Sequence, residues 1–254
     1  MRVVDDQRRS RGIEVLLVLA ISLGMSAVYA MVSLAAKLTA PGGLAKQTAT
    51  LNDEFVVGRP WLDLTYQLLS VTRGVIPALF AVYLLSRDPG DARRTLGLDL
   101  RRPGFDLGTG AALAALIGLP GLALYVAARE LGLNASVVPA ALAPQWWVVP
   151  VLVLSAVQNA VLEEVVVVGY LFERLKQLGY RTVTVVLTSA VLRGAYHLYQ
   201  GIGAFVGNVI MGAIFGLFYV RFKRVLPLVI AHAILDVVSF VGYALLKDRL
   251  SFLS

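Results

Sequence analysis

Seven long apolar runs decide what this chain can fold into: Ile13–Leu38, Trp61–Ser86, Phe105–Ala128, Trp146–Phe172, Thr182–Tyr199, Gly203–Phe222 and Val225–Leu246. Each approaches the roughly 20 residues that a helix needs to cross a bilayer core of about 30 Å. The runs are too long for barrel strands and show no alternation, and a backbone in lipid must satisfy its own polar groups. The sequence therefore predicts an all-α fold, a polytopic transmembrane helical bundle of about seven spans. Composition agrees: of 254 residues 58% are hydrophobic and 15% charged, too little charge to cover a soluble domain of that size. The first expected partner is the lipid bilayer, and the expected location is the cell membrane.

The net charge of +7 falls in short basic blocks between the runs rather than along one polar face, which argues against a nucleic-acid partner. The blocks instead set an orientation. Arg2, Arg8, Arg9 and Arg11 precede the first run; Arg87, Arg93, Arg94, Arg101 and Arg102 follow the second; Arg174, Lys176 and Arg181 follow the fourth; Arg221, Lys223 and Arg224 follow the sixth. The alternate segments hold only Lys46, Arg59, Arg129, Lys247 and Arg249. This excess predicts a cytoplasmic N-terminus and, with seven spans, an external C-terminus. The first run is much longer than the roughly 7–15 apolar residues of a signal peptide and is read as a retained span. Thr39–Pro60, with Gly42, Gly43, Asn52, Asp53 and Glu54, reads as a solvated external loop. Two parts are expected: residues 1–145 with three N-terminal spans and their loops, and residues 146–254 as a four-helix core.

Ionisable side chains inside hydrocarbon cost roughly 2.5–3.5 kcal/mol each on insertion scales, so each marks a candidate site. The second and third runs contain little beyond Asp63, Arg73 and Asp106, whereas the last four hold Glu163, Glu164, Arg193, His197, His232 and Asp236. The two histidines are the only ones in the chain, and no cysteine is present, so any metal must be held by nitrogen and oxygen. If the connection between the fourth and fifth runs turns near Gly179, Glu164 lies 15 residues before the turn and His197 18 after it. At about 1.5 Å per residue the two sit at similar height and can face each other. His232 and Asp236, four apart, share one helix face. Glu163 and Glu164 are adjacent and point about 100° apart, which suggests that one of them is structural. A buried carboxylate of this kind can serve as general base and acid for a water, with Glu164 as the first candidate; alternatively, His197, His232 and Glu164 could hold a zinc ion.

Three stretches in order carry a resemblance: Glu163-Glu164-Val165-Val166-Val167-Val168-Gly169-Tyr170-Leu171-Phe172, Tyr196-His197-Leu198-Tyr199 and His232-Ala233-Ile234-Leu235-Asp236. Together, over about Trp146 to Leu246, they resemble the CPBP family of intramembrane metalloproteases, the CAAX-processing and bacteriocin-processing, or Abi, group. That resemblance implies that Glu163 or Glu164 activates the attacking water, that His197 and His232 act as metal ligands or polarising groups, and that Asp236 completes the site. Many relatives carry an asparagine there to stabilise the oxyanion; a charged aspartate is a poor donor and fits better as a histidine orienter or metal ligand. Two positions depart from the family pattern: Val168 stands where arginine is usual, and Arg193 stands where phenylalanine is usual. One lies four after Glu164 and the other four before His197, so the arginine is expected on the facing helix at the same level, pairing with a glutamate.

The implied function is an intramembrane endopeptidase acting on a membrane-associated peptide or protein through a glutamate-activated water, with zinc as the implied cofactor. Other functions remain compatible with the same residues: a catalytically inactive scaffold or immunity-type membrane protein, and a transporter, although no internal repeat supports the last.

Overall fold

The computed structural model describes residues 2–247, with side chains from residue 6 onward. Arg249 and the side chain of Arg2, both used in the charge argument, lie outside the described set, as does the rest of the C-terminal end of the expected core. Among the described residues the chain is predominantly helical. Its helices are α1 (Arg2–Ala20), α2 (Leu23–Thr39), α3 (Pro60–Ser86), α4 (Ala92–Leu96), α5 (Pro103–Glu130), α6 (Val148–Glu163), α7 (Leu171–Gln177), α8 (Thr182–Tyr196), α9 (Ile202–Phe222) and α10 (Leu226–Leu246). A π-helical segment, Glu164–Tyr170, joins α6 to α7, so that Val148–Gln177 runs on for 30 residues.

Among the described residues, five helices are long and apolar enough to cross a membrane: α3, α5, the continuous α6 to α7, α9 and α10. A sixth crossing arises if α1 and α2, bent by 51° at their junction, count as one broken span. The expected seven is reduced at two places. The first run is interrupted at Ile21 and Ser22, and the fifth ends as a helix at Tyr196 after 15 residues, about 22 Å and short of a bilayer core. Beyond Tyr196 the chain needs a turn to enter α9, and the 3₁₀ segment Leu198–Gln200 supplies it.

The helices pack as an incomplete ring. α2 lies on α8, α8 on α9, α9 on α5, α5 on α10, α10 on α6 and α6 on α3. The π segment runs inside the ring, and every residue from Glu163 to Phe172 is buried. Small residues set the closest contacts. A Cβ added at Gly212 of α9 would stand 2.8 Å from the Ala190 Cα and 3.2 Å from the Arg193 Cδ, so glycine there lets α8 and α9 close around the arginine stem. At Gly169 a Cβ would come within 3.2 Å of both Leu96 and Val225, which brings α4 and the start of α10 against the π segment.

α3 runs parallel to α6 and α7, with matched rungs along its length. Trp61 and Trp147 rings lie 4.7 Å apart at one end. A Cβ at Gly74 would overlap the Gln158 side chain midway. At the other end Arg174 donates to the Leu84 carbonyl at 2.9 Å and pairs with Asp88.

The same Arg174 pairs with Glu14 of α1 at 2.7 Å, and Arg8 donates to the Leu178 carbonyl. Arg224 pairs with Asp106 at 2.6 Å and with Asp99 at 3.0 Å. The hydrogen bond from Arg224 holds the Asp99 carboxyl below its ordinary range. These contacts bring the four basic segments to one end of the bundle. At the opposite end, the loop expected to be solvated does carry exposed residues, and it also forms a strand, β1 (Thr48–Thr50), paired in parallel with β2 (Ser136–Val138). These two three-residue strands are the departure from an all-α chain among the described residues.

Candidate active site

Glu163 is the last residue of regular α6, and Glu164 opens the π segment. Widened helical turns of this kind recur at functional sites because they redirect side chains that a regular helix would splay apart. Arg193, on α8, is fully buried and lies between the two carboxylates. Its Nη2 donates to Glu164 Oε1 and Oε2, both at 2.7 Å, and its Nη1 to Glu163 Oε2 at 3.3 Å. The guanidinium also sits 5.5 Å from the centre of the Phe215 ring of α9. Arg193 therefore pairs with both glutamates, as the transposition of the arginine between facing helices implies. Among the described residues, its Nε is the one fully buried side-chain nitrogen or oxygen without a hydrogen-bond partner.

His232 of α10 approaches from the other side. Its Nδ1 lies 2.6 Å from Glu164 Oε1; a carboxylate only accepts, so Nδ1 donates, and Nε2 is left without a hydrogen bond. That Nε2 faces Glu163 Oε2 at 4.0 Å and Asp236 Oδ2 at 3.7 Å. The expected stacking of His232 and Asp236 on one helix face is present. His197, at the C-terminal end of α8, donates from Nδ1 to the Arg193 carbonyl at 3.0 Å, which likewise leaves its Nε2 open.

The facing of Glu164 and His197 expected from their heights is replaced by a contact one turn earlier. Arg193 takes the place opposite Glu164, because a guanidinium in hydrocarbon must meet a carboxylate and its stem reaches farther than an imidazole. The division between the two glutamates also follows from the contacts. Both oxygens of Glu164 are engaged and the side chain is fully buried, whereas Glu163 retains a slightly exposed side chain and an Oε1 with no hydrogen-bond partner.

One member of the site was not singled out from the sequence. The Tyr196 hydroxyl donates to Glu163 Oε2 at 2.7 Å and is buried. Its neighbour His197 drew attention as one of two histidines, while a tyrosine beside it carries no charge to betray its position.

Glu163, Glu164 and His232 could coordinate a metal ion: one ligand atom from each lies within 4.8 Å of the others. His197, expected in that set, is outside it, and Glu163 takes its place. The donor set is nitrogen and oxygen, as zinc accepts. The protein-held Nδ1 of each histidine is the arrangement that orients Nε2 toward a metal. Glu164 fits least well, since both its oxygens already face the Arg193 cation.

Residues 145–238 match the family model Rce1-like, described as type II CAAX prenyl endopeptidase Rce1-like. The matched stretch contains every candidate site residue, from Glu163 to Asp236. It leaves α1 to α5 unmatched. No curated protein and no solved structure matches the chain.

Proposed function

We propose that the chain is an intramembrane endopeptidase that hydrolyses a peptide bond of a membrane-associated protein or peptide. The observation that carries this reading is the buried cluster of two glutamates, one arginine and one histidine at the middle of an apolar bundle. Such a cluster is costly to keep in lipid and is arranged with one carboxylate oxygen left free. Basic segments gathered at one end of the bundle support an N-terminus and a basic face on the cytoplasmic side.

Glu163 is the general base in this reading. Its free Oε1 takes a proton from water as the water oxygen attacks the peptide carbonyl carbon, and the same carboxyl returns that proton to the departing amine nitrogen as the C–N bond breaks. Tyr196 fixes the other oxygen of Glu163. Arg193 donates to both oxygens of Glu164, and Glu164 in turn orients His232 through Nδ1. The Nε2 atoms of His232 and His197 border the space where the water and the carbonyl meet, and Asp236 limits the rotation of His232. Were a zinc ion bound, Glu163, Glu164 and His232, whose ligand atoms lie within 4.8 Å of one another, would hold it, with Glu163 then a ligand rather than the free base. The ion would supply Lewis-acid polarisation of the carbonyl and a more acidic water.

Comparison of peptide termini in membranes from cells with and without the protein should reveal new termini in membrane-proximal segments that require it. An unchanged set of termini would leave an inactive scaffold as the better reading. For the metal, active preparations should contain about one zinc per chain, lost in His232→Ala together with activity. Full activity in exhaustively metal-free protein would assign the water to Glu163 alone.

A further inference from the structure

The facing sides of α6 and α10 form a ladder with rungs one helical turn apart. Glu163 Oε2 faces His232 Nε2 at 4.0 Å. Four residues back along α6 stands Asn159, four residues on along α10 stands Asp236, and the Asn159 side-chain amide hydrogen-bonds the Asp236 carboxyl. At the next rung Ala156 and Leu152 of α6 pack with Phe240 of α10. Two antiparallel helices require this order, since positions 152, 156, 159 and 163 share one stripe of α6. About 6 Å of helical rise separates the Glu163 rung from the Asn159 rung. His232 Nε2 lies between them, 3.7 Å from Asp236 Oδ2.

The Asn159 rung is also the more open side of the cluster. The Asp236 side chain is 21% exposed and Asn159 is half-buried, whereas Glu164 and Arg193 are fully enclosed. Attack of water on a peptide carbonyl moves the C=O electron pair onto oxygen, and that oxyanion needs a positioned hydrogen-bond donor. The donors around Glu163 are already committed. Arg193 donates to both glutamates, the Tyr196 hydroxyl to Glu163, His232 Nδ1 to Glu164, and His197 Nδ1 to the Arg193 carbonyl. An asparagine amide carries two N–H groups, and Asp236 accepts one of them.

We propose that Asn159 is a catalytic residue whose second amide N–H donates to the oxyanion of the tetrahedral intermediate, with Asp236 fixing the amide in that orientation. This inference rests on the protease reading. The scissile carbonyl then sits between the two rungs, with the water held by Glu163 on one side and the amide on the other. When the C–N bond breaks, the electron pair on the oxyanion re-forms the carbonyl of the new carboxyl group, and Glu163 returns its proton to the departing nitrogen. Asn159 keeps both of its hydrogens throughout.

The test uses a synthetic peptide spanning a terminus that requires the protein in membranes, and the same peptide carrying a difluoromethylene ketone at the scissile position, whose hydrate mimics the tetrahedral oxygens. Both are assayed with purified protein in phosphatidylcholine vesicles. Asn159→Ala should lower kcat about 100-fold or more, the effect of losing one oxyanion donor, with KM within about threefold of the wild type. It should weaken inhibition by the ketone by a similar factor and leave thermal unfolding near that of the wild type. If Asn159→Ala does not fold, Asn159→Leu, which keeps the volume and lacks the amide, is read on the same terms. Adding Asp236→Asn to Asn159→Ala returns an amide to the facing rung and should raise kcat at least about tenfold over the single variant. A residue that only held Asp236 in place gives another pattern: the ketone inhibits Asn159→Ala as well as it does the wild type, and the second change brings no recovery. Either of those results overturns the proposal, as does a variant that loses KM alone or keeps its kcat, and the protease reading survives all of them. A wild type that cleaves no peptide overturns that reading and this inference with it.

Discussion

Glu163→Gln is expected to lower cleavage at least about 100-fold, the lower bound for loss of a general base, while the protein inserts and unfolds as the wild type does. The amide keeps the shape and still accepts from Tyr196, but its nitrogen cannot take a proton from water. Glu164→Gln should behave differently. Glu164 faces Arg193 through both oxygens and His232 through one, so its neutralisation leaves a buried guanidinium undercompensated. Stability should fall in step with activity. Unfolding in detergent measured beside turnover separates the two variants. A Glu163→Gln protein that cleaves at the wild-type rate would return the role of base to Glu164.

Arg193→Leu should destabilise the protein by about 3–5 kcal/mol, the usual result of removing one partner from a buried ion pair, and should abolish most activity. Here two carboxylates lose their cation at once. The double change Val168→Arg with Arg193→Phe is expected to recover much of both properties. Val168 is fully buried on the π segment, four residues beyond Glu164, and an arginine there would approach the same carboxylate from its own helix. Phenylalanine at 193 would fill the volume beside Phe215. Thermal unfolding and turnover of the double variant, compared with Arg193→Leu, decide the matter. If the double variant is no better, positions 168 and 193 do not serve one pocket.

The sequence by itself determined the helical membrane bundle, because long apolar runs have few other solutions in lipid. It also marked the ionisable residues that the bundle brings together. Glu163, Glu164, Arg193, His232 and Asp236 are expensive where they stand, and that expense is visible without coordinates. The spacing of His232 and Asp236 was readable because both lie on one regular helix with a fixed period. The tertiary structure decided what depends on contact between helices. It broke the first run with a bend and ended the fifth early, since hydropathy reports the solvent of a segment and not its path. It introduced the π segment at Glu164, which carries both glutamates to Arg193 despite their 100° offset in a regular helix. It exchanged His197 for Arg193 opposite Glu164 and added Tyr196, because helix rise gives a height but no direction or reach. The division of labour between two adjacent glutamates follows from which oxygens are already hydrogen-bonded, and those partners come from α8 and α10, tens of residues away in the chain.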